Sequence, residues 1–152
     1  MMGLGDRLRE ELKQALKTGN KRASSTIRMV LAAAQNRAIE KRGPLSDAEF
    51  VDTLISSIKQ RRESIEFYQQ GNRPDLAAKE SEEIQILQNF LPPPLTEDEA
   101  REKIRQAIVQ VGATSPRDVG KVMKVLMPEL RGRLEGGTLN RWVAEMLSSS
   151  GG

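Results

Sequence analysis

Gln85-Ile-Leu-Gln-Asn-Phe90-Leu-Pro-Pro-Pro94-Leu-Thr-Glu-Asp-Glu-Ala100 is the stretch whose reading decides the fold. Three successive prolines fix φ and remove three backbone donors. No helix crosses them, and a short stiff spacer is expected there. Before them, Glu80, Ile84, Leu87 and Leu91 recur at i, i+4, i+7 and i+11, a helix from Asp75 whose three apolar members face inward. After them, Thr96 with Glu99 forms a capping box, opening a helix striped by Ala100, Ile104, Ile108 and Val111. Helical pattern therefore stands on both sides of a break.

Towards the N-terminus, Leu4, Leu8, Leu12 and Leu16 mark a first helix that stops at Gly19-Asn20. A second runs from Lys21 to Lys41, with Ile27, Leu31, Ala34 and Ala38 on one face, and ends at Arg42-Gly43-Pro44. Ser46 with Glu49 caps a third, carrying Phe50, Leu54, Ile58, Ile65 and Tyr68 up to Gly71-Asn-Arg-Pro74. Towards the C-terminus, Gly112 ends one helix, and Ser115-Pro116-Arg117-Asp118 starts another with Val119, Val122, Met123, Leu126 and Met127. After Pro128 a glycine-punctuated basic loop is expected over 130–137. A last helix then runs from Thr138 to Leu147, with Leu139, Val143, Met146 and Leu147.

No segment alternates with period two. The fold predicted is all-α: a four-helix domain over 1–91, a proline-rich linker over 92–95, a three-helix domain over 96–147 and a disordered tail over 148–152.

Composition excludes whole classes of chemistry. The 152 residues contain no cysteine and no histidine. There is no disulfide framework, thiolate nucleophile, imidazole base or Cys-ligated metal. The longest apolar run, Met29 to Ala34, is far too short for a bilayer, which takes about 20 residues. The residues Met1 to Asp6 lack the basic-then-apolar pattern of a signal peptide. The expectation is a soluble, cytosolic protein with no membrane association.

The net charge of +3 hides an uneven distribution. Residues 7–42 hold ten basic against three acidic side chains, a net +7, whereas residues 43–94 sum to −4. Either the first two helices attract phosphate, or an acidic helix pair neutralises a basic one. A second basic patch lies near the C-terminus: Lys121, Lys124, Arg131, Arg133 and Arg141, interleaved with glycines at 120, 132, 136 and 137 that free the backbone for close approach to a ligand. Tight helix packing is the competing reason for Gly120. The five aromatics, Phe50, Phe67, Tyr68, Phe90 and Trp142, are too scattered for a base-stacking platform. Adjacent Phe67 and Tyr68 point to different faces, so one of them can be exposed. Trp142 fits a core anchor better than a stacking group.

No phosphate-cradling motif is present: Gly120-Lys121 is followed by Val and preceded by Ser115 where the first glycine belongs. Glu80, Glu82 and Glu83 read as a solvated helix face, and Glu97, Asp98 and Glu99 as complements to a helix dipole, with a Mg²⁺ site as the alternative. No catalytic residue, metal site or cofactor is expected.

The stretch from Gly112 through Ser115-Pro-Arg-Asp-Val-Gly-Lys-Val-Met-Lys124 to Arg133, closing with Asn140-Arg-Trp-Val-Ala-Glu-Met-Leu147, resembles the GatB/YqeY family. So do Leu16-Lys-Thr-Gly-Asn-Lys-Arg22, Ser25-Thr-Ile-Arg28, Glu40-Lys-Arg-Gly-Pro44, Ile58-Lys-Gln-Arg-Arg-Glu-Ser64 and Phe90-Leu-Pro92. The likeness covers nearly the whole chain and is closest to the freestanding YqeY-like members. It departs at Arg117 and Val119, where Lys and Met are expected, and at Pro93-Pro94, which replace a more polar pair.

The resemblance implies an all-helical, two-domain protein whose second half is similar to the tail domain of the B subunit of the tRNA-dependent amidotransferase. That enzyme amidates misacylated Glu-tRNA or Asp-tRNA, and its tail helps hold the tRNA. By resemblance Gly120, Lys121, Lys124, Gly132 and Arg133 contact tRNA, and Arg131 and Arg141 join them on charge. The implied partners are tRNA or another structured RNA, with an amidotransferase or an aminoacyl-tRNA synthetase. Two other functions remain open. One is a helical protein-interaction module using a Met123/Met127 face. The other is a component of a carbon–nitrogen ligase with glutamine as amido donor, although the nucleotide and metal core of the B subunit is missing.

Overall fold

The computed structural model describes residues 2–150, and every regular element among them is a helix. In chain order these are α1 (Leu4–Thr18), α2 (Lys21–Lys41), α3 (Asp47–Gln70), α4 (Pro74–Gln88), α5 (Glu97–Val111), a short 3₁₀ turn (Pro116–Asp118), α6 (Val119–Leu130) and α7 (Gly136–Ser150). Local signals set most of these boundaries. Ser46 Oγ accepts from the Glu49 N–H while the Glu49 carboxylate accepts from the Ser46 N–H, and Thr96 with Glu99 repeats the arrangement. Gly19 and Gly112 end α1 and α5 in left-handed backbone (φ 73° and 67°), which leaves their N–H groups free to cap the last turn.

The chain forms two compact units, Met1–Pro92 and Pro93–Gly152. In the first, α1 packs on α2 and α3, α2 on α3 and α4, and α3 on α4. Leu8, Ile27, Val30, Leu54, Ile58, Leu87 and Phe90 lie at its centre. In the second, α5, α6 and α7 pack pairwise around Leu95, Ile104, Val122, Leu126, Leu130, Leu139, Val143 and Leu147.

Four boundaries differ from the sequence reading. α4 stops at Gln88 instead of Leu91, because Phe90 turns into the core and the residue before a proline is disfavoured in helical backbone. Leu95, read as linker, is buried in the second core, and its N–H donates to the Arg133 carbonyl at 3.0 Å. α6 continues through Pro128 to Leu130. α7 begins at Gly136 and runs to Ser150, so residues 148–150 of the expected tail are helical, while 151–152 lie outside the described residues.

Candidate nucleic-acid interface

α6 is strongly two-sided. Val122, Leu126 and Leu130 are buried, and 100° per residue places Gly120, Lys121, Lys124 and Pro128 on the opposite side, where all four are exposed; Arg117 in the preceding 3₁₀ turn and Arg131 at the C-cap are exposed as well. The structure therefore gathers Gly120, Lys121 and Lys124 on one stripe, with Arg131 exposed just past its last turn and Arg117, which the sequence reading used as part of a helix start, exposed in the turn before it. Its position four residues before Lys121 was the signal available.

Asp118 lies beside the stripe. Its carboxylate sits 3.7 Å from Lys121 Nζ, but it also accepts the N–H groups of Thr114 (2.9 Å) and Ser115 (3.4 Å). Those bonds, the Thr114 one foremost, hold its carboxyl below the usual range. Asp118 thus holds the turn that launches α6 through Oδ2 and faces Lys121 through Oδ1, while Lys121 keeps most of its side chain in solvent. Among the described residues Lys124 has no acidic partner. At Gly120, an added Cβ would meet no atom within 4 Å, so packing does not account for this glycine.

The other expected contacts separate. Gly132 has φ 81°, backbone that a glycine adopts without strain, and it turns the chain after α6. Gly136 and Gly137 are not loop residues but the first turn of α7. Arg133 is a tie: its Nε donates to the Pro93 carbonyl at 3.1 Å and its own carbonyl accepts from Leu95. Arg141 is exposed on α7, outside the α6 stripe. Trp142 is half-buried against the second core with the Arg101 guanidinium 5.3 Å over its ring, which agrees with the anchor reading. Met123 and Met127 are also half-buried against that core, so the proposed methionine docking face is not there.

In the first unit, Phe67 is the exposed member of its pair, 72% accessible, with an edge contact to Tyr68. Of the α4 glutamates expected on a solvated face, Glu82 is exposed, but Glu80 and Glu83 are largely covered. Arg61, only 6% exposed, donates from Nε to Glu83 at 3.0 Å, lies 3.9 Å from Glu80, and bonds Ser57 and the Met29 sulfur. Burial raises the Glu80 carboxyl, and Glu83 beside it raises it further. Glu82 instead reaches Arg22 of α2. The sequence carried a signal for Arg61, which falls on the Phe50–Leu54–Ile58–Ile65 stripe.

A family profile described as "Yqey-like protein" matches residues 5–147. Among curated relatives, "Altered inheritance of mitochondria protein 41, mitochondrial" of Pyrenophora tritici-repentis is 30% identical over 129 residues, which is 84% of this chain and 71% of that protein. Its namesake in Lachancea thermotolerans is 31% identical over 112 residues, covering 72% of this chain and 60% of its own length. The Clavispora lusitaniae protein of the same name is 29% identical over 126 residues, 81% of this chain and 74% of that protein. The relatives' mitochondrial names overturn the cytosolic expectation. That expectation rested on the lack of an apolar span, which does not discriminate between aqueous compartments. No helix among the described residues is long and apolar enough to cross a membrane.

Proposed function

This chain belongs to the Yqey-like protein family, and from that premise we propose that it is an RNA-binding accessory protein, holding the sugar–phosphate backbone of tRNA or another structured RNA on the outward face of α6. Its place is in tRNA-dependent transamidation, where it presents RNA and a partner amidotransferase or aminoacyl-tRNA synthetase supplies the chemistry. The observation that carries the proposal is the exposed face of α6, where Lys121, mostly in solvent although 3.7 Å from Asp118, and Lys124 are flanked in sequence by exposed Arg117 and Arg131.

Cationic heads on such a face release counterions from a polyanion, and that release supplies a large share of nucleic-acid affinity. Gly120 and Pro128 lower the relief between the cations, letting a strand lie close to the helix. The single aromatic of this unit, Trp142, is half-buried beneath Arg101, which favours recognition of backbone over stacked bases. The likeness of 112–147 to an amidotransferase tail supports tRNA as the RNA.

Filter binding of unfractionated tRNA across a salt series tests the proposal. The double variant Lys121→Ala/Lys124→Ala removes two phosphate contacts, and the slope of log K against log salt becomes shallower by about 1.4 to 1.8. A slope equal to that of the parent protein refutes it.

A further inference from the structure

The first two helices hold nine basic and four acidic residues, a net +5, and few of the cations are paired. Arg22 pairs with Glu82, Lys41 with Glu49 and Arg9 with Asp6, but Glu80 and Glu83 are held by Arg61 of their own helix pair. Lys13, Lys17, Lys21, Arg28 and Arg42 have no acidic partner among the described residues. The acidic helix pair therefore meets the basic one at two ion pairs, Arg22–Glu82 and Lys41–Glu49, and leaves these five cations unmet.

These cations are not spread evenly. Val30, Ala34 and Ile27 bury one side of α2, and the opposite side presents Lys21, Ser25, Arg28, Ala32, Gln35 and Asn36, all exposed. No acid occurs in α2 before Glu40. Lys21 and Arg28 are separated by about 10 Å along the axis, and Lys21 and Asn36 by about 22 Å. Lys17, at the end of α1, lies just across the Gly19-Asn20 turn from Lys21. Helix electrostatics explain Lys17, a cation in a last turn, but not Lys21, a cation in a first turn, where the dipole disfavours it.

We infer that this face of α2 is an RNA-backbone contact surface of the first unit. The inference rests on the reading of the protein as an RNA binder. The donor set is the one that phosphate and sugar oxygens require: two cations, a hydroxyl and two side-chain amides, with alanine where a bulky group would hold the strand away. A membrane surface fits it less well. Ile39 lies on the same line as Lys21, three turns beyond Arg28, and Met29 lies at the edge of the face; two separated apolar groups do not form the continuous apolar band that interfacial helices bury.

The test uses the full chain, unfractionated tRNA and a salt series. Lys21→Ala/Arg28→Ala makes the slope shallower by about 1.4 to 1.8, and the tRNA affinity lost between 50 and 200 mM salt becomes roughly tenfold smaller than for the parent. Lys21→Arg/Arg28→Lys, which keeps both charges, leaves the slope unchanged. Circular dichroism reports whether each variant folds as the parent does. If Lys121→Ala/Lys124→Ala flattens the slope and a folded Lys21→Ala/Arg28→Ala does not, the α2 surface is refuted and the α6 reading stands. If neither does, both fall. If the α2 variant loses binding to phosphatidylserine vesicles and keeps its tRNA slope, the face serves a membrane and the inference is overturned.

Discussion

Replacing Gly120 by alanine separates two reasons for a glycine to stand in a helix. Its backbone is helical and its surroundings are open, with no atom within 4 Å of the added Cβ. Nothing in the native structure opposes the methyl group. Alanine gains helix propensity and narrows the unfolded ensemble, together worth about 0.5–1 kcal/mol, with the lower end expected in a first turn. The chain's one tryptophan, Trp142, packs on the core to which α6 contributes, so its fluorescence during urea unfolding reports this unit. At a slope near 1–1.5 kcal/mol per molar urea the midpoint should rise by roughly 0.5 M. If the glycine is there to admit a nucleic-acid backbone, tRNA affinity falls in the same protein, a gain in stability at the expense of binding. A lower midpoint means that the Cβ meets an obstacle and refutes the packing argument. A higher midpoint with unchanged tRNA affinity refutes the ligand argument for Gly120.

Arg61→Ala leaves Glu80 and Glu83 without their buried partner and should destabilise the first unit by about 3–5 kcal/mol in denaturant titration followed by circular dichroism. Glu82→Ala, which breaks only the exposed bond to Arg22, should cost less than about 1 kcal/mol. Arg133→Ala removes the side-chain bond to the Pro93 carbonyl and should lower the Trp142-monitored stability by about 0.5–1.5 kcal/mol, whereas Lys124→Ala should leave it unchanged. Glu49 is held at about 2, below its ordinary 4.5, chiefly by Lys41 and then by the Ser46 N–H. A depressed carboxylate contributes stability above its unfolded value that is lost as pH falls towards the folded one. Stability should therefore decline between about pH 5 and pH 2, and Glu49→Gln should flatten that part of an acid-unfolding profile. Leu126→Ala, at a fully buried position, should cost about 2–5 kcal/mol.

Helix starts were legible where a side chain within four residues satisfies the first amides. Ser46–Glu49 and Thr96–Glu99 are such cases, and neither depends on the rest of the fold. Ends and exceptions were less legible because they depend on surroundings. Gly136-Gly137 reads as loop, but the first amides of a helix need no intrahelical partner, so glycines are tolerated where α7 begins. Pro128 reads as a stop, but it lies on the solvent side of the last turn of α6, where water satisfies the carbonyl it leaves without a donor. Leu95 follows three prolines and looks like spacer. Its side chain packs into the second core, and its N–H donates to Arg133, nearly forty residues on, contacts that local sequence does not reveal.

The same division runs through the candidate site. Lys121 and Lys124 could be placed together because a spacing of three residues puts them on one side of a helix. Arg133 carries the same charge in the same short basic stretch, but its backbone and its Nε are both spent on residues 93–95. Sequence proximity overstated its freedom. Arg61 shows the converse. Its place on an apolar stripe marks it as buried, and a buried guanidinium requires carboxylates, which α4 supplies three residues apart as Glu80 and Glu83. Once those two are consumed, the excess charge of α1 and α2 has too few acids left to meet it. The case for an anionic ligand on the first unit follows from that shortage, since the overall charge of +3 gives no hint of where uncancelled cations gather.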